Sequence, residues 1–171
     1  MQDLILKVEQ WAADRNLIAG CQPIDQAMKL FSEAGELADN IGKGRDIKDD
    51  VGDVAVVLTI ITKQLGKTLA DVDAPQWAEG DNKTLVLKLQ NSLTDFVECA
   101  TFGGFSYGLC RRILNILNAI ARNHKTTLEE CLTVAYDDIK DRKGVMYNGV
   151  FVKSTDAAYN DVIKSIESNF V

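Results

Sequence analysis

Apolar residues recur along the chain at spacings of three and four, and the runs carrying this period are cut by glycine rather than proline, of which 171 residues contain only 2. The i, i+3, i+4, i+7 pattern puts apolar side chains on one face of an α-helix. Proline inside a helix removes a backbone donor and clashes with the preceding turn, so its scarcity permits long helices. Aromatic residues make up 7%, lean for the facing sheets of a β-sandwich. The length suits one domain. The expected fold is all-α, with a four-helix-bundle core of two pseudo-repeated helical hairpins, extra helices and a short C-terminal β-hairpin.

The stripes can be followed in order. Leu4, Ile5, Val8, Trp11 and Ala12 outline a first helix, which the stretch from Asn16 to Pro23, with Gly20, breaks. A second starts after Pro23 with Asp25 as N-cap, runs through Ala27, Leu30, Phe31, Ala34, Leu37 and Ala38, and stops at Gly42-Lys43-Gly44. A third runs from Ile47 to Gly66, and its apolar centre AVVL implies deep burial. Lys67 to Lys83, with Pro75, reads as a connector whose Trp77 folds back onto the bundle. Leu85 to Thr101 and Tyr107 to Asn123 restore the helical period, separated by Gly103-Gly104. Thr127 and Glu130 form a capping box for a helix from Leu128 to Arg142. Asn148-Gly149 between apolar residues signals a type I′ hairpin, and Thr155 or Asp156 opens a last short helix.

Two acidic pairs stand out: Glu33 and Glu36 on the second helix, Asp50 and Asp53 on the third. A spacing of three places each pair on one helical face, roughly 5–6 Å apart at Cβ. The short Gly-containing loop between the helices makes them an antiparallel hairpin, so four carboxylates can converge on one groove. Like charges at that range repel, and a bound divalent cation relieves the repulsion. Oxygen-only ligation favours Mg²⁺, with Mn²⁺ possible, over Zn²⁺. Gly35 and Gly52 each cost a helix interior about 1 kcal/mol relative to Ala, which suggests close backbone approach at both. Asp39 and Asp49 add charge nearby rather than direct ligation. With 19 basic and 25 acidic residues the formal charge is −6, which argues against a nonspecific grip on nucleic-acid phosphates. A smaller polyanion would have to be bridged by metal.

GELADN followed by KDDVGDVAVVL resembles the MazG-like nucleotide pyrophosphohydrolases of the all-α NTP pyrophosphatase superfamily, whose motif is ExxE, a spacer, then ExxD. VEQWAADRN, LEECLTVAYDDIKDRKG and NGVFVK extend the resemblance to roughly two-thirds of the chain. Asp50 stands where the family usually has Glu, one methylene longer. The resemblance implies hydrolysis of nucleoside triphosphates, dNTPs foremost, between the α- and β-phosphates, giving the monophosphate and pyrophosphate. It implies Glu33, Glu36, Asp50 and Asp53 as metal ligands, with Glu33 or Glu36 as the catalytic carboxylate that orients water. Lys140, Arg142 and Lys143 match the basic cluster that closes the family's last catalytic helix and would contact phosphates, as would Lys29, one turn before Glu33. Trp11 is either a core anchor or a base-stacking platform. The family habit implies a homodimer. Two alternatives stand beside this reading: a narrower diphosphatase acting on dUTP or modified nucleotides, and a noncatalytic helical interaction module whose acids form only a solvated face.

SEAGELADN also aligns with TDFVECATF, setting Glu33 and Glu36 opposite Asp95 and Glu98, while Leu69 falls opposite Leu128 at an offset of 59, setting Asp53 opposite Arg112 and Asp50 opposite Leu109. The expected plan is an active hairpin over 24–66, a degenerate copy over 85–123 that has lost its ExxD half, and a basic helix end with hairpin over 127–153, all in one domain. The copy then serves as scaffold and as a wall of the base pocket, with Arg111 or Arg112 offering charge to a phosphate. Cys21, Cys99, Cys110 and Cys131 lie too far apart for a CxxC metal knuckle and read as buried thiols. His124 reads as a helix-end residue. The N-terminus lacks signal-peptide features, and the apolar run Val54 to Ile61 falls far short of the ~20 residues that span a bilayer, so the expected location is cytoplasmic, with no membrane partner.

Overall fold

The computed structural model describes residues 1–73 and 77–168; Pro75 lies outside them. Seven helices are described: α1 (Gln2–Asp14), α2 (Pro23–Lys43), α3 (Lys48–Gln64), α4 (Asn82–Thr101), α5 (Tyr107–Asn123), α6 (Leu128–Ile139) and α7 (Tyr159–Ser168). A 3-10 turn, Leu69–Asp71, follows α3, and β1 (Gly144–Tyr147) pairs with β2 (Val150–Lys153) in an antiparallel hairpin. Asn148 and Gly149 have φ of 48° and 78°, the two positive values that a type I′ turn needs. No helix among the described residues is long and apolar enough to cross a membrane.

Local chemistry sets the helix ends. Pro23 opens α2, and Gln22 and Asp25 form a reciprocal capping box, with the Gln22 N–H donating to Asp25 Oδ2 at 2.8 Å. Asp25 is thus the third helical residue and Gln22 the N-cap, a correction to the expected cap. Gly44, at φ 64°, ends α2 in the left-handed conformation, where a Cβ would be strained. The Thr127–Glu130 capping box forms as expected. Helix α6 stops at Ile139, short of Arg142, because its last carbonyls are taken over by side chains of the N-terminal region. Trp11 Nε1 donates to Ile139 O at 2.9 Å, and Arg15 donates to Lys140 O at 3.1 Å and Arg142 O at 2.7 Å. Helix α7 starts at Tyr159, later than expected; Asp156 instead accepts from the Lys153 N–H at 2.8 Å, bending the chain out of β2.

Helices α2 and α3 run antiparallel: Asn40 meets Asp50 at one end, and at the other Gln64 Nε2 donates to Leu17 O at 2.8 Å and Cys21 O at 3.3 Å. Helices α4 and α5 do the same, with Asn123 donating to Asn82 Oδ1 at 2.8 Å and Arg112 lying 3.9 Å from Asp95. The second hairpin packs on the first, α4 on α2 and α5 on α3, while α6 lies along the other side of α3. Leu30, Leu37, Leu58, Ile61, Leu89, Leu93, Phe96, Ile113 and Leu117 fill the shared core. The close approach of α3 and α6 is made at Gly52, where a Cβ would lie 2.7 Å from Ala135 Cβ and nearer still to Cys131 O. Gly35 has open space around it, so the expectation of close packing there is corrected.

Trp77 does not fold back: it is 61% exposed. The segment is fastened through its backbone instead, Ala78 N–H donating to Asn115 Oδ1 at 2.9 Å and Ala78 O accepting from Arg122 at 2.8 Å, which leaves the indole outside. Cys21, Cys110 and Cys131 are buried free thiols, whereas Cys99 is only half-buried, a partial correction. Burial pushes the Cys110 and Cys131 thiols up to about 11. His124 ends α5, with its Nε2 2.6 Å from Asn82 Nδ2.

Candidate active site

The facing sides of α2 and α3, closed by Trp11 of α1 and the end of α6, enclose a cavity of about 300 Å³. Lys29, Glu33 and Glu36 reach it from α2, Asp53 from α3 and Arg142 from the turn after α6, over an apolar floor of Val56, Val57 and Ile60. Six of the nine residues singled out from the sequence therefore line one space: Trp11, Lys29, Glu33, Glu36, Asp53 and Arg142. Larger hollows exist elsewhere, but none brings these acids together.

Glu33 is buried, 4% exposed, and ion-paired with Lys29 one turn earlier. Burial would otherwise make an isolated carboxylate costly, and the ammonium offsets that cost. Asp53 has no ion-pair partner among the described residues. Its carboxyl is pushed up to about 7, chiefly by burial and then by the charges of Glu33 and Asp49, with Lys29 and Arg142 pulling the other way. Asp49 is raised by burial and by Asp138, and Asp50 by burial, with Asp49, Glu36 and Glu33 adding to it. Acids at the start of α3 and the middle of α2 thus share one unfavourable field. Glu36 is exposed and, among the described residues, has no ion-pair partner.

Asp50 departs from the expected convergence of four carboxylates. Asn40 Nδ2 lies 2.9 and 3.1 Å from its two oxygens, which holds the group beside the cavity rather than in its lining. Among the described residues, no three His, Cys, Asp or Glu side chains stand close enough to hold a metal ion as they are. Asn40 is a residue the sequence reading missed, although its position at the end of α2, opposite the start of α3, was the available signal.

The expected basic cluster separates. Arg142 reaches the cavity and is ion-paired with Asp138. Lys143 borders a neighbouring hollow of about 680 Å³ that Arg142 shares with Lys153, Ser154 and Thr155. Lys140 lines neither and is paired with Asp137 at 2.7 Å, because α6 has already ended there. Trp11 is anchored, one of its two expected roles: it is half-buried, its N–H is fastened to Ile139 O, and it also lines the cavity. The Arg15 guanidinium sits 4.8 Å over its ring, a cation–π contact. Arg15, also missed from the sequence, is what ties α1 to the α6 turn that carries Arg142.

No protein-family model and no solved structure matches the chain. Over 66 residues, 37% of its length, the chain is 46% identical to an uncharacterized 18.2 kDa protein in the rep-hol intergenic region of Haemophilus phage HP1 (strain HP1c1). It spans 40% of that curated relative.

Proposed function

We propose that this chain is a Mg²⁺-dependent nucleoside triphosphate pyrophosphohydrolase, cleaving between the α- and β-phosphates, with dNTPs as the expected substrates. The observation that supports it is the single cavity lined by Glu33, Glu36 and Asp53 together with Lys29, Arg142 and Trp11. The donor set fits a hard cation: every candidate ligand is a carboxylate oxygen, and beyond the burial that chiefly raises the Asp53 carboxyl, the charges of Glu33 and Asp49 raise it further, a repulsion that a cation would relieve. Glu33, Glu36 and Asp53 would hold the ion, and Asp50 would join them on leaving Asn40. When bound, Mg²⁺ supplies charge for the triphosphate and Lewis acidity at the scissile phosphate.

The chain's own groups carry the rest. Glu36, solvent-facing and without an ion-pair partner among the described residues, accepts the proton of the attacking water. Lys29, once released from Glu33, and Arg142 contact phosphate oxygens. Lys143 and Lys153 extend that positive wall into the adjoining hollow. Trp11, fixed by its hydrogen bond to Ile139, offers a rigid face to the base. Val56, Val57 and Ile60 exclude water from the floor. We extend the reading to a homodimer, supported by Ile24 and Met28, one turn apart on α2 and 42% and 57% exposed; a monomer by sedimentation equilibrium would overturn that extension.

The test is pyrophosphate release from a panel of nucleotides with Mg²⁺, repeated on Glu36→Gln and Asp53→Asn. Each variant should lose about 100-fold or more in rate. No pyrophosphate from any nucleotide with the wild type, or both variants matching it, would sink the proposal.

A further inference from the structure

The second hairpin carries a cavity of its own. It measures about 530 Å³ and lies between the segment 77–79, α4 and α5, lined among others by Trp77, Lys88, Asn91, Ser92, Arg112 and Ile116. Its position follows from the internal repeat. Shifted by 59 positions, α3 coincides with α5 end to end. The amides closing the two hairpins correspond as well: Gln64 donates to carbonyls ahead of α2, and Asn123 donates to Gly80 O, ahead of α4, at 2.9 Å. Asp53 and Val57, which line the carboxylate cavity, correspond at this offset to Arg112 and Ile116, which line this one, and at the offset of 62 that sets Glu33 opposite Asp95, Gln26 and Lys29 correspond to Lys88 and Asn91.

The two cavities differ in charge. In the first, Glu33 and Asp53 repel; at the matching positions Asp95 and Arg112 attract, 3.9 Å apart. Glu79 is the acid in the lining, set against Lys88 and Arg112. Trp77 stands exposed on one flank, as Trp11 flanks the first cavity. A lining of this kind suits a ligand with a flat aromatic ring and an anionic group, and it needs no metal to bridge the charge.

We propose that this cavity is a second, metal-independent nucleotide site, binding a nucleoside monophosphate with its phosphate on Arg112 and Lys88 and its base on Trp77. The choice of a nucleotide as ligand rests on the reading of the first cavity; the requirement for an aromatic anion does not. The second hairpin is then a repurposed copy that senses the product class of the first.

The chain has 2 tryptophans, so Trp11→Phe leaves Trp77 as the only indole reporter. Titration of this full-length variant with deoxynucleoside monophosphates in EDTA should quench Trp77 fluorescence saturably. The difference between wild type and Trp77→Phe gives the same signal without giving up the Trp11–Ile139 bond. Arg112→Ala, at a half-exposed position away from the core, should weaken binding about tenfold, the loss of one charge-assisted contact. Asp53→Asn should leave it unchanged, and the unphosphorylated deoxynucleosides should bind at least about tenfold more weakly. Absence of saturable quenching, equal affinity in Arg112→Ala, or equal affinity for the unphosphorylated ligand overturns the proposal. Pyrophosphate release is measured separately: turnover without Trp77 quenching sinks the second site alone, and quenching without turnover sinks the proposed activity alone.

Discussion

Asp53 concentrates the electrostatics of the cavity in one side chain. Its carboxyl sits at about 7 in the fold against 3.8 in an exposed chain, so between those values the folded state binds the extra proton. Stability from this group is full below about pH 4 and is lost as pH rises through 7. In EDTA, urea unfolding should show Asp53→Asn more stable than wild type at pH 8, by about 1 kcal/mol after allowance for solvent, with the gap closing toward pH 4. A wild type that gains stability from pH 5 to 8 relative to this variant would contradict the assignment. The i, i+4 spacing of Lys29 and Glu33 was legible in the sequence because both sit on one helix. The retreat of Asp50 to Asn40 was not, since those residues lie on different helices and meet only through the interhelical register.

Two glycines separate what an element demands from what its neighbours demand. A Cβ at Gly52 would press against α6, so Gly52→Ala should cost about 1–3 kcal/mol in chemical denaturation. Gly35 faces open space on α2, and Gly35→Ala should stabilise by about 0.5–1 kcal/mol through the unfolded state and helix propensity. The sequence marked both as unusual, yet propensity alone treats them alike. Thr127→Ala, which breaks the capping box of α6, should lower stability by about 1 kcal/mol in the same assay. Helix cores were readable from the apolar period. The end of α6 was not, because Trp11 and Arg15, more than 120 positions away, claim its final carbonyls.

At the scale of the whole molecule, two antiparallel hairpins share one core, and the cavity lined by Glu33, Glu36 and Asp53 lies on the first. The proposed Mg²⁺ site predicts stabilisation of the folded state by mass action: at pH 8 saturating Mg²⁺, at about 100 times its dissociation constant, should add about 2.7 kcal/mol over EDTA, read as a rise in melting temperature. Glu36→Gln with Asp53→Asn should abolish that rise; an unchanged rise would place the ion elsewhere. By itself the sequence determined the helical architecture, the C-terminal hairpin and the pairing of acids on consecutive helices, because these follow from periods and turn residues that act within a few positions. Only the tertiary structure decided that Asp50 stands aside, that Lys140 drops out while Arg142 enters, and that Trp77 faces outward over a second cavity. Those outcomes depend on which surfaces meet when α1, α4 and α6 pack on the first hairpin, and interhelical register is a property of the assembled core that no local pattern encodes.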